Sequence, residues 1–184
     1  MDGTMHSTRY ASPIGPLLLA GSGDCLAGLW MEGQKHFRET APADMTRKDD
    51  LPVFAAARDW LDRYFAGGKP APSELPLAPA GSAFRKEVWE ILCGIPYGQV
   101  TTYGMIAATM AVRMNREGMS CQAVGGAVAH NPIAIIIPCH RVVGTDGGLT
   151  GYAGGLERKA RLLELEGVDI GRLYIPAKGQ GPSA

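Results

Sequence analysis

The sequence predicts an α+β protein with a β-rich first part and a mainly helical second part. Short apolar runs on either side of a Gly/Ser/Asp cluster fill residues 16–30, a pattern typical of a β-hairpin. Apolar residues at helical spacing recur after residue 80. Between the two parts, residues 69–79 contain four prolines and suit an extended connector. We therefore place a domain boundary near residue 80, with domains at 1–80 and 81–184.

Composition narrows the class of protein. The chain has 184 residues, 46% of them apolar, which excludes wholesale disorder. Its longest apolar runs are far shorter than the ~18 residues of a membrane helix, and its first residues lack a secretory pattern. We expect a cytoplasmic protein without a membrane segment. The net charge is zero, and the slightly basic second half permits nucleic-acid contact without requiring it.

The elements of the first part follow from local patterns. Strands are predicted at 16–20 and 25–30, joined by a turn at 21–24. Val53, Ala57, Leu61 and Tyr64 share one helical face, which predicts a helix over 52–65 that ends at the glycines 67–68.

The second part contains three predicted N-caps. Ser82 begins one helix, Thr101 or Thr102 a second and Ser120 a third that runs to about residue 130. The last two helices favour a helix-turn-helix. Glycines 125–126 cost ~1 kcal/mol each inside a helix, so close approach of another helix or of DNA is expected there. The β-branched run 133–137 predicts a buried strand, and a last helix is predicted over 156–166.

Four cysteines, Cys25, Cys93, Cys121 and Cys139, are all well separated. The chain therefore has no Cys-x-x-Cys pair, which excludes zinc-ribbon and thioredoxin-like sites. Free thiols are expected in a reducing compartment. Cys25 and Cys93 lie in apolar stretches and are expected to be buried small hydrophobes.

Cys139 has His140 as its neighbour and follows the predicted strand directly. A thiol needs a base to become the reactive thiolate, and a base needs a third group to orient it. Neighbours on a strand point to opposite faces, so Pro138 must break the strand or a water must bridge the pair. Orienting carboxylates are available at Glu157, Glu164 and Glu166. From spacing alone, a reactive cysteine and a buried structural thiol both stay open.

Several motifs around Cys139 resemble the O6-alkylguanine-DNA alkyltransferases. They are IPCHRV at 137–142, AVGGA at 123–127, Asn-Pro at 131–132, TGYAGG at 150–155 and LLELEG at 162–167. The resemblance is dense from about Ser82 to Gly167. It implies a small β-rich, RNase H-like first domain and a winged helix-turn-helix-like alkyltransferase domain.

The resemblance also implies a suicide repair protein. Cys139 would take the alkyl group from O6 of a flipped-out guanine, with O4-alkylthymine left open as a second substrate. A water would link Cys139 to His140, and Glu166 would orient the histidine. Further catalytic positions implied are Tyr103, Lys159 and Asn131. The implied base pocket consists of Val142, Tyr152, Ala153 and Gly154, next to a cavity large enough for a base.

The implied partner is double-stranded DNA containing O6-alkylguanine, bound by a monomer without cofactors. The predicted DNA-contacting residues are Gln122, Ala123, Gly125, Gly126 and Arg141. Gln122 replaces an arginine common in the family and lacks its charge and stacking plane. Ala153 replaces a serine of some members. Further phosphate contacts are expected from basic residues outside the recognition helix: Arg85, Lys86, Arg113 and Arg116.

Two other functions are also compatible with the sequence. A non-catalytic protein that binds alkylated DNA would lack the acceptor cysteine, which is present here. A cysteine hydrolase using Cys139 and His140 would leave the surrounding motifs unexplained. No metal site is predicted, because the spacing of His6, Cys25 and His36 does not indicate a zinc ligand set.

Overall fold

A four-stranded sheet forms the first part of the chain in the computed structural model, which describes residues 4–174. Residues 1–3 and 175–184 of the two predicted domains lie outside it. Strands β1 (His6–Ser12), β2 (Gly15–Ser22) and β3 (Cys25–Met31) form an antiparallel meander, and β4 (Thr46–Arg47) pairs in parallel with β1. The hairpin prediction is confirmed, and β1 is an additional strand.

Helix α1 (Pro52–Phe65) covers this sheet and matches the predicted helix. Proline at its first position suits a helix start, since its missing N–H would have no partner there. After α1 the chain returns along β3, where the Leu26 amide donates to the carbonyl of Pro76 at 2.8 Å and the Ala78 amide to the carbonyl of Leu26 at 2.8 Å. The proline-rich connector is thus bonded to the sheet edge.

Three capped helices begin the second part: α2 (Ala83–Cys93), α3 (Tyr103–Arg113) and α4 (Cys121–Ala129). The side chains of Ser82, Thr102 and Ser120 accept hydrogen bonds from the amides three residues on, as predicted. Such caps contribute ~1 kcal/mol each. Trp89 of α2 donates its indole N–H to the carbonyl of Ala127 at 2.9 Å, which fixes α4 against α2.

The predicted strand at 133–137 is wrong. Only Ile133 makes a bridge, to Leu29 of β3, and Ile135 has a φ of +71°, a left-handed conformation that a β-branched residue rarely adopts. Asn131 closes the turn, because its side chain accepts from the amide of Ile133 at 3.0 Å and donates to the carbonyl of Ile137 at 2.8 Å. All five residues of the run are buried. The pattern therefore predicted their burial correctly and their backbone conformation incorrectly.

The second part ends with a two-stranded parallel pair and a helix. Strand β5 (Thr101–Thr102) pairs with β6 (Val142–Val143), and α5 (Leu156–Leu165) follows. One apolar cluster runs through both parts, from Leu29 and Phe54 to Trp89 and Leu162. The α+β prediction is confirmed. Within residues 4–174, no helix has the length and apolar character needed to cross a bilayer.

Candidate active site

Cys139 lies where the chain leaves the turn held by Asn131. It begins a short 3-10 helix, Cys139–Arg141, after Pro138, so Cys139 and His140 are not neighbours on a strand. The Cys139 sulfur lies 3.1 Å from the side-chain nitrogen of Asn131, which donates to it. Burial raises the pKa of the thiol, and the Asn131 hydrogen bond and the Lys159 charge act against that rise.

His140 is fully buried and fixed by Glu166. Its Nε2 lies 2.7 Å from Oε1 of Glu166. Because an ionised carboxylate only accepts, Nε2 carries the hydrogen and Nδ1 the lone pair. Nδ1 has no hydrogen-bond partner among the described residues. Burial lowers the pKa of His140 despite the neighbouring carboxylate, so the ring is neutral and its basic nitrogen is available.

The carboxylate of Glu166 is the centre of this buried network. Besides His140, it accepts from Arg141 through Nε at 2.8 Å and Nη2 at 3.0 Å, and from the amide of Gly98 at 3.2 Å. Burial by itself would raise the pKa of Glu166, but the hydrogen bonds and charges of His140 and Arg141 lower it to about 2. Glu166 is therefore ionised throughout the physiological range.

The structure corrects the prediction that Arg141 contacts DNA. Its guanidinium is buried, and besides Glu166 it donates to the carbonyl of Ile95 at 2.6 Å. The ring of Tyr97 lies 5.7 Å from it. A buried guanidinium charge is tolerated only when it is paired with an opposite charge and hydrogen-bonded. The Arg141 side chain is therefore bound to Glu166 and is not free to bind a phosphate.

Tyr103 and Lys159 both hold Thr150, in the loop 144–155 between β6 and α5. The Tyr103 hydroxyl donates to the carbonyl of Thr150 at 3.2 Å, and the Lys159 ammonium donates to the same carbonyl at 2.7 Å and to that of Val142 at 2.5 Å. Burial lowers the pKa of Lys159 to about 8 and raises that of Tyr103 to about 12. Both groups are mainly protonated at pH 7.

The predicted base pocket is filled by protein in this structure. Val142 and Tyr152 are buried, the Ala153 carbonyl accepts from the amide of Lys35 at 3.0 Å, and a Cβ added to Gly154 would lie 2.6 Å from the sulfur of Met31. Among the described residues, cavities of about 290 to 560 Å³ lie elsewhere, and Cys139 lines none of these. The expected base-sized cavity beside the sulfur is therefore not among them.

Helix α4 presents an exposed face formed by Gln122, Ala123 and Gly126. A Cβ on Gly125 would lie 3.9 Å from the ring of Tyr103, whereas one on Gly126 would meet no atom within 4 Å. Both positions therefore have room for a Cβ atom, and Gly126 leaves the surface of α4 open. The close approach of another helix that the sequence predicted is not found at either glycine, and the approach of DNA to this face stays a prediction.

The other predicted phosphate contacts differ in their surroundings. Arg85 is half-buried, whereas Lys86, Arg113 and Arg116 are exposed. Arg113 is held by Glu87 at 3.2 Å and by Glu90 at 3.5 Å, so a phosphate would compete with two carboxylates for it.

Sequence reasoning missed one residue of the buried network, Tyr64 of α1. Its hydroxyl donates to Oε1 of Glu166 at 2.7 Å. The helical pattern assigned Tyr64 to the apolar face of α1, and its ring is indeed buried. No feature of the sequence signals the hydroxyl, because its partner is 102 residues away.

One group of described residues could hold a divalent cation, although no metal site was predicted. Ligand atoms of His36, Glu39 and His130 all lie within 4.8 Å of one another. The three residues come from a loop after β3 and from the end of α4, which is why their spacing gives no signal. None of the predicted catalytic residues belongs to this group.

Comparisons with known proteins cover nearly the whole described chain. Residues 5–79 match the sequence model of the 6-O-methylguanine DNA methyltransferase, ribonuclease-like domain, and residues 83–168 match that of the DNA binding domain of the same family. Methylated-DNA–protein-cysteine methyltransferases from Haemophilus influenzae and Methanosarcina barkeri are 43% and 47% identical to it. Each alignment covers 88% of this chain, and 86% and 97% of the respective relative.

A solved structure agrees with these relatives. The Mycobacterium tuberculosis protein described as OGT in complex with DNA superposes with a TM-score of 0.75 and 41% identity, over 91% of this chain and 94% of that chain. Sequence and fold thus agree over both parts of the molecule, and the chain belongs to the 6-O-methylguanine DNA methyltransferase family.

Proposed function

We propose that this protein repairs DNA by moving a methyl or larger alkyl group from O6 of guanine to Cys139, once per molecule. The observation that supports it most is that the buried Cys139 is followed in the chain by a neutral histidine whose Nε2 is bound to Glu166 and whose Nδ1 is unpartnered among described residues. This is the arrangement of a base poised to accept a proton.

The thiol proton would leave through a water to Nδ1 of His140. The resulting imidazolium would be stabilised by Glu166, which stays ionised because of its low pKa. The thiolate would be held by the Asn131 amide at 3.1 Å and by the positive charge of Lys159. These interactions offset part of the cost of a buried anion.

The reaction is then a displacement at carbon. The sulfur lone pair forms the new S–C bond while the C–O6 bond breaks and its electron pair passes to guanine. A proton delivered to the ring as this happens makes guanine a better leaving group, and Tyr103 is the donor implied by family resemblance. The product thioether is a poor leaving group, so water cannot restore Cys139. One turnover per molecule follows.

The substrate must be taken out of the DNA stack before the sulfur can reach it. Extruding a base costs a few kcal/mol, and least for a damaged, poorly paired one. We infer that the open face of α4, with Gln122, Ala123 and Gly126, lies against the duplex. A protein of 41% identity has been described in complex with DNA, which supports this assignment.

Entry of the base would require the loop 144–155 to move. The contacts to be broken include the two hydrogen bonds that the carbonyl of Thr150 accepts, from Tyr103 at 3.2 Å and from Lys159 at 2.7 Å. Lys159 would keep its bond to Val142 and so retain its place near the sulfur. Breaking the first of these contacts also frees the Tyr103 hydroxyl for the substrate, so opening and proton donation are coupled.

The test is a single-turnover assay on duplex DNA containing O6-methylguanine, read by intact-protein mass. We expect each protein molecule to gain one methylene group, and Cys139→Ser to gain none. DNA binding with unchanged mass would support the non-catalytic alternative. Product formation beyond one equivalent would support a hydrolase. A parallel duplex with O4-methylthymine measures the second substrate.

A further inference from the structure

Tyr64 is the only described residue before residue 80 for which a hydrogen bond to the carboxylate of Glu166 is found. Its hydroxyl lies 2.7 Å from Oε1 of Glu166 and 3.4 Å from Nε2 of His140. Its ring is held on two sides, stacked on Trp60 at 5.4 Å between centroids and edge-on to Tyr97 at 6.0 Å. Packing of the ring therefore fixes the position of the hydroxyl.

We propose that Tyr64 is a positioning residue that the N-terminal part supplies to the reaction, and that its hydroxyl sets the basicity of His140 through Glu166. The inference rests on the proposed function of His140 as the base. It gives the N-terminal part a share in the chemistry beyond that of a scaffold.

Three donors share one oxygen of the Glu166 carboxylate. Oε1 of Glu166 accepts from Tyr64, from His140 and from Nη2 of Arg141. Each donor withdraws negative charge from that oxygen, so each weakens the hydrogen bonds that the oxygen accepts from the other donors. With the Tyr64 hydroxyl in place, Glu166 still orients the imidazole but stabilises the imidazolium less. The His140 ring therefore stays neutral until the thiol releases its proton.

The other charged and titratable groups around His140 would be unchanged by the loss of this hydroxyl. They are Cys139 and Arg141 on its own turn, Lys159 on α5 and Glu166 at the end of α5. Burial, followed by the charge of Glu166, raises the pKa of Tyr64 far above 10, so it is a donor at every working pH. Removing it would leave Glu166 a stronger acceptor, and His140 would become protonated at a higher pH.

The first experiment compares Tyr64→Phe with the wild type in single-turnover alkylation across pH. A hydrogen bond to a charged group and the free-energy equivalent of one pKa unit are of similar size. We therefore expect the rising limb of the rate profile to move up by about one pH unit. Below the limb the variant would be about tenfold slower, and at high pH it would regain the wild-type plateau.

The matched control is Tyr10→Phe. The Tyr10 hydroxyl also donates to a carboxylate, Asp62 of α1, at 2.7 Å, but that pair is exposed and outside the network. We expect its profile to match the wild type. A Tyr64→Phe profile lowered equally at all pH values, or one identical to the wild type, would overturn the inference, since neither follows from a change in basicity.

A second measurement needs no DNA and so separates this inference from the proposed function. Titration of the His140 ring by NMR should give a midpoint about one unit higher in Tyr64→Phe. An unchanged midpoint would overturn the inference even if alkyl transfer is observed. Should Tyr64→Phe not fold, wild-type protein made with 3-fluorotyrosine provides a stronger donor. There the His140 midpoint should fall, and an unchanged or raised midpoint would overturn the inference.

Discussion

Replacing Glu166 by glutamine removes the negative charge that faces the buried guanidinium of Arg141 and the ring of His140. The side chain of Glu166 is fully buried, and that of Arg141 is 7% exposed, so solvent cannot compensate. Removing one partner of such a pair costs ~3–5 kcal/mol. The lowering of the Glu166 pKa from 4.5 to about 2 corresponds to a similar ~3 kcal/mol. Domains of this size are stable by only ~5–15 kcal/mol.

We therefore expect Glu166→Gln to lower the free energy of unfolding by about 3 kcal/mol at pH 7, and to slow alkyl transfer by about 100-fold or more. The sign of the pH dependence follows from the depressed pKa. The stabilisation by the carboxylate is complete above pH 4.5 and is lost as the pH falls towards 2. The stability difference between wild type and variant should consequently shrink over that interval.

The assay is urea unfolding of both proteins at pH 7 and at several acid pH values. Glu164→Gln is the control, because Glu164 lies on the same helix but is exposed, and it should change stability by less than ~0.5 kcal/mol. A Glu166→Gln variant within ~1 kcal/mol of the wild type at pH 7, or a difference that stays constant down to pH 2, would refute the argument that Glu166 is the buried counter-charge.

The remaining predictions concern other parts of the site. Gln122→Arg should speed repair of duplex DNA and leave the reaction with free O6-benzylguanine unchanged, because residue 122 lies on the open face of α4. Equal acceleration on both substrates would exclude a role in base flipping. Lys159→Met should raise the pKa of the Cys139 thiol, since a nearby positive charge is lost. The pH dependence of Cys139 modification measures this pKa, and an unshifted curve would show that the Lys159 ammonium does not lower it. Chelation of metals by EDTA should not alter the alkylation rate, because Cys139, His140 and Glu166 lie outside the one cation-competent group found among the described residues. A slower rate would assign that group a part in the reaction.

The fold could be predicted from the sequence where a local pattern decided the structure. The hairpin, the face of α1 and the three side-chain caps all depend on residues within a few positions of one another. Strand β1 was missed because its sequence, HSTRYAS, is mostly polar. The strand prediction for 133–137 was wrong for another reason. The burial of this run is encoded locally, but its backbone conformation is set by Asn131 and by the edge of β3.

The candidate site shows the same division. Among three glutamates considered for orienting the histidine, Glu157 and Glu164 are exposed and Glu166 is buried against His140. Motif resemblance identified it, whereas composition and spacing did not. The role of Arg141 could not be predicted, because a basic residue beside a predicted DNA site resembles a phosphate contact until its burial is known.

The location of the transferred alkyl group tests the central claim most directly. Cys139 is buried and Cys121, at the start of α4, is exposed, so simple accessibility would favour Cys121. After reaction with a duplex carrying O6-methylguanine, peptide mapping should place the methyl group on Cys139 alone. Methylation of Cys121, Cys25 or Cys93 with Cys139 unmodified would contradict the proposal that the histidine and glutamate beside Cys139 make it the acceptor.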